Sequence, residues 1–228
     1  MMKRFGGRGE DAAPEGMHQG QTAYDAGQII SHFFREAGQL RSYRKHEFIF
    51  REEDEAAEAY YVQSGLVKIS QSAQEGHHIT LFLRHEGEAF GTAEVLADRR
   101  RQRYARCISD CEIVSIPTDS FVRLVQSQPE VLYAFAVTGA QRLLATQQAV
   151  EALISRPVAW RLANFLLQFG IEAEDGVHVQ LHVSHEEISG IIGCSRQTVT
   201  ETLNKWRDQG LIHYEKKHVV LFNPRLLY

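Results

Sequence analysis

The chain has 228 residues, of which 43% are hydrophobic and 24% charged, and its formal net charge is −4 at pH 7. This length suits two domains, and the apolar fraction is sufficient for a real core. The acidic balance argues against a protein that coats nucleic acid through charge alone. Any DNA binding would therefore have to be local and shaped.

The cellular compartment is indicated by the cysteines and by what the sequence lacks. Cys107, Cys111 and Cys194 form no disulfide framework, which suits a reducing cytosol. The longest apolar run, 131–137, is far shorter than the roughly 18 residues that suggest a membrane span. Lys3 and Arg4 precede glycine and acidic residues, not the apolar stretch of a secretory signal. We expect a cytoplasmic protein without a membrane partner.

The first half of the chain predicts a β domain behind a tail. Residues 1–27 are rich in glycine and indicate a flexible tail, and a short amphipathic helix is predicted over 28–38. Short β-rich runs then alternate with turn residues, at 47–51, 60–63, 66–71, 79–84, 104–108 and 112–116. This spacing predicts an antiparallel sandwich or barrel, and we assign it to residues 28–128.

The apolar period becomes helical over residues 129–154. One face carries Leu132, Phe135, Gly139, Leu143, Thr146, Val150 and Leu153. A narrow stripe sustained over some three heptads favours a coiled-coil seam with a second copy of the chain, and Gly139 would allow the two backbones to approach. The alternative is a helix packed on its own domain.

Residues 155–228 predict a second domain with two short helices. A linker-like stretch, 172–176, leads to a strand over 177–183, and a hairpin is predicted over 213–222. Ser184 and Glu187 form a capping box, Gly193 a tight turn, and Ser195 a second cap. Val199, Leu203 and Trp206 then face inward on the second helix. This pattern is typical of a helix-turn-helix.

A helix-turn-helix that binds DNA needs a second helix with a polar outer face. Arginine can fork onto guanine and glutamine onto adenine, while Ser195 and Thr198 at the helix N-terminus can hold a phosphate. The predicted DNA-binding set is Ser184, Ser195, Arg196, Gln197, Thr198, Thr200, Glu201, Lys205, and Lys216 and Lys217 at the tip of the hairpin. A helical hairpin inside an α-helical core is the alternative.

Three segments resemble the Crp/Fnr transcription regulators: GCSRQTVTETLNKWRDQGLI, YYVQSGLVKIS and GEAFG. The resemblance implies an α+β fold with an N-terminal antiparallel β-roll of jelly-roll type over 28–128, acting as a sensor domain. A dimerisation helix (129–154) and a winged helix-turn-helix (155–228) follow. It also implies a homodimer that binds a two-fold symmetric double-stranded DNA operator, controls transcription through RNA polymerase, and is not an enzyme.

The resemblance carries over to individual positions of the recognition helix. Arg196 matches the guanine-contacting arginine of the family. Gln197 stands where many members have glutamate, and Glu201 where many have a second arginine. The operator is therefore expected to be related to that of the family without being identical.

The sensor residues match the family less well. Cyclic-AMP binders carry a glutamate after the cassette glycine and an arginine-serine pair further on, whereas here Thr92 follows Gly91 and Gln102 follows Arg101. We therefore do not expect cyclic AMP. The basic loop 99–106 either holds another small anionic effector or is simply solvated. The candidate effector residues are Gly91, Thr92, Arg101, Gln102, Arg103, Thr146 and Gln147.

Cofactors and metals are not expected. An iron–sulfur cluster of the Fnr type needs cysteines near the N-terminus, and a haem sensor needs axial ligands after Phe90; the sequence has neither. In one continuous strand Cys107 and Cys111 would lie about 13 Å apart, beyond disulfide reach, and His178 and His182 equally far apart for one metal.

Two functions are alternatives to an effector-controlled regulator. One is the same fold acting without an effector, as a constitutive or redox-modulated regulator. The other is a cupin-like enzyme, which would need a ligand cluster or a nucleophile elbow that the sequence does not contain. The net charge is unevenly distributed along the chain. Residues 177–228 carry six basic and five acidic side chains, so the excess of acidic residues lies in the rest of the chain. Specific contacts must then contribute more than bulk attraction.

Overall fold

The computed structural model describes residues 19–72, 78–181, 183–215 and 218–223, so His182, Lys216 and Lys217 lie outside the described residues. In chain order the elements are α1 (Gln19–Ala37), β1 (Gln39–Tyr43), β2 (Phe48–Phe50), β3 (Glu58–Ser64), β4 (Leu66–Ser72), β5 (His78–His85), β6 (Ala89–Phe90), α2 (Thr92–Leu96), β7 (Tyr104–Cys107), β8 (Cys111–Pro117), α3 (Thr118–Ser127), α4 (Pro129–Ser155), α5 (Val158–Leu167), β9 (Gly170–Ala173), β10 (Gly176–Gln180), α6 (His185–Ile192), α7 (Arg196–Asp208), β11 (Ile212–Glu215) and β12 (His218–Leu221).

Strands β1 to β8 form two four-stranded sheets, ordered β1-β8-β3-β6 and β2-β7-β4-β5, with antiparallel pairing throughout. Val62, Val67 and Ile113 are fully buried between the sheets because alternate residues of each strand point to the same face. The rings of Tyr60 and Phe90 stack in this core with centroids 5.3 Å apart. The predicted α+β fold, with its β-roll and C-terminal helix-turn-helix, is confirmed.

Helix α1 extends into the segment that was predicted to be a flexible tail. It begins at Gln19, inside the range 1–27 that the sequence analysis assigns to a tail, and earlier than the predicted start at residue 28. Ala26 is buried against the core, so the helix gains a packing partner that the glycine-rich composition did not show. Phe33 packs edge-on against Phe121 and Phe135, with centroids 5.8 and 5.9 Å away.

Helix α4 is divided between two environments. Val131, Ala134 and Phe135 are buried under α1, so the assignment of Phe135 to the dimer seam is wrong. Its neighbour Ala136 is exposed and completes a strict alternation of four- and three-residue steps with the rest of the stripe. No helix within the described residues is long and apolar enough to cross a membrane.

The C-terminal domain packs three helices on a sheet ordered β11-β12-β10-β9. Leu162, Leu166 and Leu203 are fully buried in its core. The stretch 172–176, predicted to be a linker, instead forms the turn of the β9–β10 hairpin, in which Glu172 pairs with Val177. The strand predicted over 177–183 ends at Gln180.

The two domains touch along helix α6. The Lys68 ammonium of β4 lies 2.9 Å from a carboxylate oxygen of Glu187, and both side chains are mostly buried. A Cβ on Gly190 would lie 3.1 Å from both the backbone nitrogen and the carbonyl oxygen of Thr80, so this glycine permits close seating of α6 on β5. Ile108 of the β-roll belongs to the hydrophobic core of the C-terminal domain.

Cys107 and Cys111 were expected about 13 Å apart in one continuous strand, but they lie in two different strands. Strand β7 ends at Cys107 and β8 begins at Cys111, so the chain bends between the two residues and their thiols interact. Both are buried free thiols. The contact with Cys111, together with burial, raises the pKa of the Cys107 thiol.

We expect Cys194 to be the thiol that reacts in the native protein. It is partly exposed, whereas Cys107 and Cys111 are buried and would react only on opening of the β-roll. Titration of the native chain with Ellman's reagent should show a single fast-reacting thiol, which Cys194→Ser removes and Cys111→Ser leaves in place. A fast signal that persists in Cys194→Ser would contradict this assignment.

Candidate nucleic-acid interface

The first helix of the motif begins at a capping box. The Ser184 hydroxyl accepts a hydrogen bond from the backbone N–H of Glu187 at 3.2 Å, and the Glu187 carboxylate accepts one from the backbone N–H of Ser184 at 2.9 Å. Each side chain thus satisfies an orphan donor of the helix start. Ser184 itself is exposed, as its predicted DNA contact requires.

The turn between the helices depends on Gly193. Its φ of 67° lies in the left-handed region, and a Cβ there would approach within 2.5 Å of Leu153 Cδ2. The Arg161 guanidinium donates to the carbonyl oxygens of Leu153, at 2.9 Å, and Gly193, at 3.3 Å. The end of α4 is therefore fastened to the turn before the recognition helix, a contact that the sequence analysis did not predict.

The recognition helix α7 starts with an exposed, donor-rich end. The Ser195 hydroxyl accepts from the backbone N–H of Thr198 at 3.0 Å, and the two side-chain oxygens lie 2.8 Å apart. Arg196, the first residue of the helix, is exposed. Backbone N–H groups and a positive helix end suit a phosphate at this position, with the guanidinium free to extend beyond it.

Gln197 and Glu201 form a pair instead of acting separately. The Gln197 side-chain amide donates to the Glu201 carboxylate at 2.7 Å, across one turn of the helix. Glu201 therefore orients the glutamine, and the amide N–H of Gln197 partly satisfies the Glu201 carboxylate. The amide keeps its carbonyl oxygen and one N–H for an adenine edge.

The inward face of α7 is as predicted. Val199, Leu203 and Trp206 are buried, which leaves Lys205 exposed on the outer side. Thr200 is only partly exposed, and its hydroxyl donates to the Arg196 carbonyl oxygen at 3.1 Å. Its oxygen also lies 2.9 Å from His185 Nδ1. The hydroxyl proton of Thr200 is thus engaged within the protein.

The candidate effector residues do not form one cluster. Arg101 is fully buried, donates to the Gly91 carbonyl oxygen at 2.6 Å, and lies 3.6 Å from the Glu94 carboxylate. Its guanidinium carbon stands 4.3 Å from the centroid of the Phe50 ring, and burial lowers the pKa of Arg101. Arg101 therefore belongs to the core, so the description of the whole loop as solvated is wrong at this residue.

The other candidates have different surroundings from those of the Arg101 guanidinium. Thr92 is buried at the start of α2, Gln102 is exposed, and Arg103 donates to the neighbouring Gln102 carbonyl oxygen at 2.6 Å. On α4, Thr146 and Gln147 are exposed, and the Thr146 hydroxyl donates to the carbonyl oxygen of Arg142. Among the described residues, no recorded contact joins these two residues to the Arg101 cluster.

A second basic site lies between the β-roll and α4. A cavity of about 340 Å³ is lined by Glu88, Thr138, Gln141 and Arg142, with Gly27, Ile30, Gly87, Ala89 and Ala145 around them. Arg84 and Arg142 share the Glu88 carboxylate, at 3.7 and 3.5 Å. Burial and then the Arg142 charge lower the pKa of Arg84 to about 10. No sequence motif indicates this cavity, because Arg84 and Arg142 come from distant segments of the chain.

His178 pairs with a histidine of a neighbouring strand, whereas its predicted separation from His182 involves a residue outside the described ones. The His178 ring lies 3.2 Å from His218 Nε2 and 2.7 Å from the Asp175 carboxylate. Over residues 19–72, 78–181, 183–215 and 218–223, no group of three histidine, cysteine or acidic side chains is arranged to hold a metal ion.

Comparison with known proteins places both halves of the chain. Residues 40–128 match the family model of the cyclic nucleotide-binding domain, and residues 160–228 match that of the Crp-like helix-turn-helix domain. The global nitrogen regulator of Synechococcus elongatus is 31% identical over 203 residues, which cover 84% of this chain and 91% of the relative.

Two further proteins support the same assignment. The cAMP-activated global transcriptional regulator CRP of Haemophilus influenzae is 31% identical over 176 residues, covering 75% of this chain and 79% of the relative. The structure of the c-di-GMP responsive global regulator CLP of Xanthomonas campestris matches with a TM-score of 0.72 at 27% identity, over 86% of this chain and 99% of that one. The chain therefore belongs to the Crp/Fnr family and is a DNA-binding transcription regulator.

Proposed function

We propose that the protein acts as a homodimer on a two-fold symmetric DNA operator and controls transcription through RNA polymerase. The observation that carries this proposal is the C-terminal half of α4. Leu143, Val150 and Leu153 are 60%, 51% and 45% exposed along one face, and an exposed apolar face of this kind marks a site of protein–protein contact. A second copy would cover this face, and Crp-family regulators act as dimers.

Operator recognition is assigned to the exposed start of α7. Arg196 contacts a guanine, and the pair Gln197–Glu201 contacts the neighbouring base as one unit. Ser195, Thr198 and the helix N-terminus hold the adjacent phosphate, while Lys205 adds charge along the groove. Because two such helices act together in the dimer, the operator is a palindrome.

We expect regulation by a small anion in the cavity beside Arg142. The relatives differ by name in their effectors, cyclic AMP in one and c-di-GMP in another, so the family does not specify one ligand. In this chain two guanidinium groups share the Glu88 carboxylate, which leaves positive charge for an incoming carboxylate or phosphate. The cavity adjoins α4, so an anion there would act on the helix that forms the seam.

Arg196→Ala should weaken specific DNA binding by about 1–3 kcal/mol, because a bidentate guanine contact is lost. The operator is first obtained by selection of bound duplexes from a random pool, and affinities are then measured by gel shift. Arg123→Ala, an exposed arginine of α3, is the matched control and should leave the affinity unchanged. Equal operator affinity of Arg196→Ala and wild type would refute the role of Arg196, and a selection that enriches no palindrome would refute the function.

Leu143→Glu should convert the dimer to monomer, with a dimer dissociation constant raised at least about 100-fold, since each dimer would bury two unpaired carboxylates. Light scattering coupled to size exclusion measures the mass. Gln148→Glu places the same charge on the opposite face of α4 and should leave the dimer intact. A dimeric Leu143→Glu protein would show that the seam lies elsewhere.

Arg142→Met should abolish the response to the effector without unfolding the protein. A thermal-shift screen of phosphate and carboxylate metabolites, including cyclic AMP and c-di-GMP, identifies a ligand that raises the melting temperature of the wild type. Arg103→Met, on the basic loop, serves as the comparison. Loss of the response in Arg103→Met alone would move the site to that loop, and no response to any anion would favour a regulator without an effector.

A further inference from the structure

One histidine joins the three parts of the DNA-binding motif. His185 is the first residue of α6, and its half-buried imidazole lies between α7 and β11. Its Nδ1 is 2.9 Å from Thr200 Oγ1, and its Nε2 is 2.9 Å from Tyr214 Oη. The first helix, the recognition helix and a strand of the hairpin are thus connected through a single side chain.

The direction of these hydrogen bonds follows from counting protons. The Thr200 hydroxyl has one proton, and it is donated to the Arg196 carbonyl oxygen. Both contacts of Thr200 Oγ1 are hydrogen bonds at the same time only when this oxygen accepts from His185, so we assign the ring proton to Nδ1. In the neutral ring Nε2 is then an acceptor, and the Tyr214 hydroxyl donates to it. The series runs from Tyr214 through His185 and Thr200 to Arg196.

The surroundings favour the neutral ring that this series needs. Burial, and after it the positive charge of Arg196, lowers the pKa of His185. Both ring nitrogens are engaged inside the protein, so the imidazole is not available to a phosphate or a metal ion. His185 consequently differs from Arg196 and Lys205, which are exposed and can bind DNA directly.

We propose that His185 is a positioning residue for operator recognition, which orients Arg196 by linking the recognition helix to the hairpin. The series of hydrogen bonds ends on the backbone of Arg196. Its loss would therefore make the direction in which the Arg196 guanidinium enters the DNA major groove less well defined. This inference rests on the proposed guanine contact of Arg196. It assigns to His185 specificity rather than general affinity for DNA.

The test compares specific with non-specific binding. Fluorescence anisotropy gives the affinities of the full-length protein for the selected palindromic duplex and for a scrambled duplex of the same composition. His185→Ala should lower the ratio of the two affinities about tenfold, the worth of one to two lost hydrogen bonds. An unchanged ratio would overturn the proposal, whether both affinities stay the same or both fall equally.

Three further variants separate positioning from a general structural effect. His185→Asn keeps a donor near the position of Nδ1, so its affinity ratio should lie between those of His185→Ala and the wild type. Tyr214→Phe, which removes one hydroxyl, should lower the affinity ratio of the wild type but should not lower that of His185→Ala any further. His213→Ala is the matched control: this exposed histidine precedes Tyr214 on β11 and should not change the ratio. Additive losses in the double variant would contradict a shared link.

A spectroscopic measurement tests the link without any DNA. Two-bond ¹H–¹⁵N correlations of the histidine rings, with His185 assigned by its disappearance in His185→Ala, should show a proton on Nδ1 and a bare Nε2 at neutral pH. The Nε2 resonance should shift in Tyr214→Phe. A proton on Nε2 would overturn the proposed series of bonds. Failure of the operator selection, by contrast, would refute the proposed function while leaving this measurement valid.

Discussion

The joint between the two domains depends on one carboxylate. Glu187 completes the capping box of α6 and also binds Lys68, whose side chain is 15% exposed against 18% for the glutamate. Although burial acts in the opposite direction, hydrogen bonds from Ser184 and Lys68 lower the pKa of Glu187, so it is charged at neutral pH. Removing either partner would leave a largely buried charge uncompensated. This ion pair and the close seating of Gly190 hold helix α6 against the β-roll.

Helix α4 serves the two domains in different ways along its length. Its first turns are part of the aromatic core of the β-roll, through Val131, Ala134 and Phe135. Its second half carries apolar side chains that the described part of the chain leaves exposed, and its last turn contacts the bend before the recognition helix. The cavity beside Arg142 lies where the helix passes from one environment to the other. A ligand there would therefore meet both the sensor core and the start of the seam.

Local sequence patterns predicted what is local in the structure. The caps at Ser184 and Ser195 and the buried face of α7 follow from spacing within one helix, so they were found from the residues alone. Phe135 was misplaced because two adjacent apolar residues satisfy the period almost equally, and the partner that selects between them, α1, lies far away in sequence. The burial of Arg101 and the link through His185 also arise from tertiary contacts, and no short-range pattern encodes them.

Leu153 occupies a place where two constraints coincide. It lies on the exposed seam of α4, and a Cβ on Gly193 would approach within 2.5 Å of its Cδ2, so a larger residue at position 193 would have to displace this side chain. In a homodimer joined along this seam, the Leu153 side chain would contact both the partner's α4 helix and the turn at Gly193 that precedes the recognition helix. The distance between the two recognition helices would then be determined by the packing of the dimer and would already be set in the absence of DNA. Changes in seam packing would alter the preferred distance between half-sites, even with every base-contacting residue intact.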